Sequence, residues 1–250
     1  MLKNGAGLAT IVSSSIAKNS MRGIDISHHQ NDKGKVDLKT ARAAGYEFCF
    51  VKCTQGTTYK DPFYEKNKKM TREAGMLFGV YHFAGNYNPK DNKNYPQDPI
   101  KEADKFLENV GNLLPGEIVV LDFETHVLKD PVSWCATWLK HVEAKLGFKP
   151  MLYTYHEFLK KYDWTKVSSA NYGLWAARYG LQQQNPNNLF RPATGSWPFF
   201  AIWQYCSKGK VPGLIGNIDL NTCDMDMSTL RKYGKPEEKC LKCPTHCPVV

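Results

Sequence analysis

No apolar run in the 250-residue sequence approaches the roughly 18–20 residues that a membrane-crossing helix requires, so no stable membrane insertion is expected. There is no internal repeat. Helix-turn-helix, RNA-binding and zinc-finger patterns are also missing, so nucleic acid is not an expected partner. Acidic side chains are absent from one long region. Between residues 164 and 218 there is none, while Lys166, Arg178, Arg191, Lys208 and Lys210 all fall there. The whole chain carries a formal +9, from 33 Lys and Arg against 24 Asp and Glu. A face of one sign concentrates polyanions near it, so an anionic polymer is the expected partner of this surface.

What is present describes a soluble globular protein. Hydrophobic residues make up 42%, aromatics 12%, and the length suits a single barrel-sized domain acting as a monomer. Residues 1–20 have some of the character of a signal segment, with Lys3 ahead of a weakly apolar stretch. Ser13, Ser14 and Ser15 interrupt its apolar centre, so 1–20 is read as an N-terminal extension. The domain proper is expected over 21–227, with 228–250 as a basic, Cys-containing tail. Cys49, Cys53, Cys135, Cys206 and Cys223 fall in predicted strands and helices, where a thiol behaves as a small hydrophobe. Cys240, Cys243, His246 and Cys247 crowd the tail, and their spacing leaves a metal, a disulfide and an inert tail all open.

Apolar runs at 23–27, 48–54, 77–83, 118–124, 150–155, 172–177, 200–205 and 218–221 read as strands. Helical periodicity fills 38–44, 63–74, 100–110 and 132–146, and Gly45, Gly75 and Gly147 stand where helix C-caps belong. Strand and helix in alternation imply an α/β fold with a parallel sheet. Eight such strands permit an irregular, TIM-like (β/α) barrel with shorter helices in its second half. Segments 85–99 and 182–198 read as long loops over its functional face.

Asp122-Phe123-Glu124 closes the apolar run 118–121. Strand residues two apart project to one side, so the two acids share a face. Carboxyls that close push their pKa values apart, which yields the protonated acid and the anion that acetal cleavage needs. Asp25 in the first strand and Asp219 in the last meet the same mouth if the barrel closes. Four acids there call for proton handling. No histidine stands at ligand spacing with them, so neither a metal nor another cofactor is expected, with His28, His29 and His82 unforced. Tyr81, Tyr153, Trp175, Trp203 and Gln204 are candidates for binding sugar rings and hydroxyls. Lys52 lies inside an apolar strand and needs a carboxylate partner, with Asp25 or an acid facing the substrate the simplest choice.

Taken in order, these segments resemble family 25 glycoside hydrolases, the muramidase lysozymes. The motifs are Arg22-Gly-Ile-Asp-Ile-Ser27 with Gln30, Phe50-Val-Lys-Cys-Thr-Gln-Gly56, Gly79-Val-Tyr-His-Phe83 and Asp122-Phe-Glu124. Leu152-Tyr-Thr154, Leu174-Trp-Ala-Ala-Arg-Tyr179, Trp203-Gln-Tyr205 and Gly216-Asn-Ile-Asp-Leu-Asn221 continue the series, so the likeness covers about residues 21–226. It departs at Cys53, where the family usually has alanine. The resemblance implies an irregular β/α barrel that cleaves the β-1,4 bond between N-acetylmuramic acid and N-acetylglucosamine in peptidoglycan. Glu124 would then be the proton donor, supported by Asp122, Asp25 and Asp219. It leaves the nucleophile open between the substrate's own N-acetyl oxygen and a carboxylate. No wall-binding repeat is recognisable, so capture of the glycan falls to the groove and to the positive face, which would meet an anionic cell-wall polymer. Action at the bacterial wall fits an endolysin made in a host cytoplasm and then released, and equally a secreted lysin. The alternative is a non-catalytic glycan-binding or virion structural protein on the same barrel, which has no need to keep four acids together.

Overall fold

The computed structural model describes residues 20–180 and 191–237. The expected N-terminal extension, most of the 182–198 loop and the Cys- and His-containing end of the tail lie outside the described residues. In chain order the strands are β1 (Met21–Ile26), β2 (Tyr46–Gln55), β3 (Tyr59–Lys60), β4 (Leu77–Phe83), β5 (Asn86–Asn88), β6 (Lys93–Tyr95), β7 (Ile118–Asp122), β8 (Met151–Tyr155), β9 (Gly173–Ala177), β10 (Ile202–Gly209) and β11 (Ile218–Cys223). The helices are α1 (His28–Asp32), α2 (Leu38–Ala43), α3 (Tyr64–Glu73), α4 (Pro99–Val110), α5 (Pro131–Leu146), α6 (His156–Lys161), α7 (Thr165–Ser168) and α8 (Met227–Arg231).

Eight of the strands close on themselves in the order β1-β2-β4-β7-β8-β9-β10-β11. Neighbours run parallel from β1 round to β10, and β11 is antiparallel to both β10 and β1. The irregular, mostly parallel barrel expected from the sequence is therefore the fold observed. Every residue of β7 is buried, as a parallel strand covered on both faces requires. Helices α4 and α5 begin alike. Asp98 and Asp130 accept backbone N–H groups of the first turn, and a proline follows at the opening helical position. Gly147 ends α5 at φ 79°, a left-handed conformation that costs glycine little. Beyond α5 the helices shorten to 6 residues in α6 and 4 in α7.

Strand alternation divides the apolar residues between two cores. Phe106, Trp138 and Trp164 belong to the outer one, between strands and helices. Phe48, Phe50, Leu77, Val120 and Met151 belong to the inner one, in the barrel lumen. Two glycines make room for the inner rings. A Cβ on Gly23 would stand 2.0 Å from the ring of Phe48, its partner in register, and one on Gly79 would stand 2.2 Å from that of Phe50. The lumen is thus a packed plug, and ligands are confined to the mouth at the C-terminal strand ends.

Two expectations need correction. The 85–99 segment carries the β5–β6 hairpin, and it is tied down from below. Gln55 Nε2 donates to Asn94 Oδ1 (2.8 Å), while the buried Glu102 accepts from the N–H groups of Gly85 (2.9 Å) and Gln97 (2.6 Å). Nor does an appendage begin at 228. Leu230 is fully buried, the Gly116 N–H donates to the Lys235 carbonyl (2.7 Å), and the Lys235 N–H donates to that of Glu117 (2.9 Å). The polar, basic composition of this stretch concealed the buried Leu230. Leu230→Ala is expected to lower the unfolding free energy by about 2–5 kcal/mol in chemical denaturation. A loss below about 0.5 kcal/mol would show that the segment is not part of the folded unit.

Candidate active site

The mouth of the barrel holds a groove, and its position follows from how β7 ends. Phe123 is wholly buried, with its ring centroid 5.7 Å from that of Trp134 and 5.9 Å from that of Phe158. Its N–H donates to the Tyr153 carbonyl (3.0 Å) and its carbonyl accepts from the Thr154 hydroxyl (2.9 Å). With Phe123 anchored outward, the residues on either side of it, Asp122 and Glu124, turn into the groove. Asp25 and Asp219 reach the same groove from β1 and β11, where they are directly opposite in register. All four predicted acids therefore meet in one opening.

Asp25 and Asp122 are buried and Glu124 and Asp219 half-buried, and the physical consequence is shared by all four. Burial is the leading cause in each case and raises every one of the carboxyls. Asp25 is pushed up to about 6, with its hydrogen bonds from Asn221 and Gln204 pulling back down. Asp219 rises to about 9, because the charges of Asp25 and Glu124 add to burial. Asp122 is raised well above its ordinary value by burial and then by Glu124, partly offset by Lys52. Glu124 is raised by burial and restrained by hydrogen bonds from Tyr155 and Tyr153. Mutual repulsion, which the sequence alone suggested as the source of the Glu124 shift, is secondary to desolvation, and within the central pair it weighs on Asp122.

Around Asp25 the hydrogen bonds leave no freedom in which atom donates. Trp175 Nε1–H can only donate, and it does so to Asn221 Oδ1 at 2.9 Å. That turns Asn221 Nδ2 onto Asp25 Oδ2, at 2.7 Å. Gln204 Oε1 accepts from the hydroxyls of Tyr153 (2.7 Å) and Tyr179 (2.5 Å), which turns its Nε2 onto the same Asp25 oxygen at 2.9 Å. Two N–H donors on one oxygen favour the ionised carboxylate at Asp25. Its cross-strand neighbour Asp219 then keeps a proton. Glu124 Oε2 accepts from the Tyr155 hydroxyl at 2.7 Å. Asp122 Oδ1, by contrast, is buried and has no hydrogen-bond partner among the described residues.

The remaining sequence candidates are placed unevenly. Lys52, Tyr81, Tyr153, Trp175 and Gln204 line the groove. Lys52 has no carboxylate within ion-pair distance among the described residues. Its Nζ donates to Gln55 Oε1 (2.6 Å) and lies 4.6 Å from the ring centroid of Phe83, acting on Asp122 through space. Trp175 is only 2% exposed, so its indole orients Asn221 from the floor and offers little face to a sugar. Trp203 is not in the groove. It belongs to the outer core and donates its indole N–H to the Arg178 carbonyl (3.0 Å), because strand neighbours alternate and Gln204 takes the inward position. Tyr155, Tyr179, Phe83 and Asn221 were not anticipated. Tyr155 and Asn221 stand two residues beyond Tyr153 and Asp219, so the period of the strand could have found both.

The Glycosyl hydrolases family 25 model matches residues 24–214. The uncharacterized protein YegX of Escherichia coli O157:H7 is 30% identical over 214 residues, which is 82% of this chain and 70% of that protein. Lysozyme M1 of Streptomyces globisporus is 27% identical over 219 residues, covering 80% and 67%. Among solved structures, the catalytic domain of endolysin ply40 from Listeria monocytogenes bacteriophage P40 aligns over 87% of this chain and 99% of its own, at 27% identity and a TM-score of 0.67.

The Asp219 shift carries a stability consequence. With its folded value near 9 against 3.8 ordinarily, the native state holds a proton that the unfolded chain releases over that interval, so stability falls as pH rises through it. Asp219→Asn removes that loss. The Tm difference, variant minus wild type, should grow more positive from about pH 4 to about pH 9, and a flat difference would mean that Asp219 titrates normally.

Proposed function

The chain belongs to family 25 of the glycosyl hydrolases, and we propose that Glu124 is the proton donor of its muramidase reaction, with Asp122 holding the N-acetyl group of the substrate. The enzyme is a lysozyme: it hydrolyses the β-1,4 bond between N-acetylmuramic acid and N-acetylglucosamine in peptidoglycan. The observation that carries the assignment of roles is the buried Oδ1 of Asp122, without a hydrogen-bond partner among the described residues, beside Glu124, whose carboxyl is raised by burial in the same groove. An unsatisfied buried acceptor is costly, and a substrate amide N–H would satisfy it.

In the free enzyme Asp122 and Glu124 titrate as a coupled pair, each raised by burial. Glycan binding decides where the proton sits. An N–H donated to Asp122 favours its anion, as Lys52 already does, and the proton is then held on Glu124. The anomeric C1–O bond breaks as Glu124 protonates the leaving oxygen, and the N-acetyl carbonyl oxygen, turned by Asp122, bonds to C1. Water then opens that intermediate, giving its proton to Glu124 and leaving the configuration retained. Tyr81, Tyr153, Tyr155, Tyr179 and Phe83 supply hydroxyls and ring edges along the groove. The acid-free stretch from residue 164 to 218 faces an anionic wall polymer, and the enzyme works as a monomer with 21–237 as its catalytic domain.

Glu124→Gln should lower kcat by about 10²–10⁴ on purified peptidoglycan, the usual contribution of a general acid. Mass spectrometry of the digest should find N-acetylmuramic acid at the new reducing ends, and undiminished cleavage by the variant would reassign the acid. De-N-acetylated glycan should turn over far more slowly than native glycan if the N-acetyl oxygen attacks. Comparable rates would favour a carboxylate nucleophile. Tyr155→Phe removes a donor that holds the Glu124 value down, so the alkaline limb of the pH profile should move to higher pH. A limb moving the other way would rule out Glu124 as the group it reports.

A further inference from the structure

The four acids leave a second group of polar side chains at the rim of the groove unexplained. The single helical turn α1 carries His28, His29 and Asp32, and one ligating atom from each lies within 4.8 Å of the others. Among the described residues no hydrogen bond or ion pair engages the ring of His29 or the carboxylate of Asp32. His28 is held differently. Its backbone N–H donates to Asp61 Oδ2 (2.9 Å), and its Nδ1 lies 3.1 Å from that same oxygen. Asp61 is itself 1% exposed and fixed by the Phe63 N–H on its other oxygen at 2.9 Å. The Tyr59 hydroxyl oxygen also lies 3.1 Å from Nδ1 and can accept or donate, but a carboxylate only accepts, so the Asp61 contact places the proton on Nδ1 and leaves Nε2 its lone pair. A buried carboxylate behind a histidine is the arrangement that orients imidazole for a metal ion and strengthens it as a ligand.

We propose that His28, His29 and Asp32 bind one divalent cation of the zinc class at the rim of the groove. Atoms bound to one such ion at about 2.0–2.2 Å stand no more than about 4 Å apart. The observed span therefore has to close by roughly an ångström. His29 and Asp32 are exposed and can supply that by rotamer change, while Asp61 holds His28 still. Two imidazoles and one carboxylate select zinc, nickel or copper over magnesium, and water completes the shell. His29 also lines the groove, so the ion would sit on the wall that the glycan passes.

Calorimetric titration with zinc at neutral pH tests this without reference to activity. The protein is the full chain with Cys240, Cys243 and Cys247 replaced by serine, so that tail thiols contribute nothing. One equivalent should bind, and Asp32→Asn and His28→Gln should each weaken binding at least tenfold, while magnesium produces no saturable heat. Asp32→Asn touches only an exposed side chain, and an unchanged Tm shows that its effect is local. Absence of zinc binding, or affinity unchanged in Asp32→Asn, overturns the proposal. So does competition by equimolar magnesium, which would mark a diffuse attraction of charge.

Discussion

Desolvation of four carboxyls in one opening is the constraint around which the structure is organised. Ionised together, Asp25, Asp122, Glu124 and Asp219 would repel one another in a medium that screens poorly. Among the described residues no close ion pair neutralises them. Burial raises their pKa values, so that protons replace counterions. One cation, Lys52, acts from a distance and is itself lowered by the same burial. Lysozyme chemistry needs just such a site, in which a proton is held at neutral pH and released to an oxygen when a glycan arrives.

The rest of the barrel keeps that mouth dry and rigid. Phe48 and Phe50 fill the lumen against Gly23 and Gly79, which closes the route by which water would reach the acids from below. The chain Trp175–Asn221–Asp25–Gln204–Tyr153 links β9, β11, β1, β10 and β8, so the strands that close the barrel also fix one carboxylate as the anion. A network whose every member is satisfied gains from the low dielectric that would penalise a gap. The gap that does exist is Asp122 Oδ1, at the place where the substrate amide is expected. On the far side of β4, His82 joins Thr54 Oγ1 (2.8 Å) to Glu102 Oε2 (3.0 Å), and Glu102 carries the backbone of the loop that borders the groove.

The period of each strand, the glycine ends of the helices and the placing of acids at strand termini are all legible along the chain. These are local properties, set by alternation and by backbone freedom within a few residues. They were enough for the barrel and for the convergence of Asp25, Asp122, Glu124 and Asp219. The same alternation would have excluded Trp203 had Gln204 been taken as facing inward, and would have found Tyr155 and Asn221, which were not anticipated. The directions of the hydrogen bonds on Asp25, the pairing of Lys52 with Gln55 in place of a carboxylate and the burial of Leu230 emerge with the closed barrel. Closure also brings Asp61 behind His28 across 33 positions of chain. Desolvation, amide orientation and packing depend on atoms that meet after the barrel closes, and no window of sequence contains them.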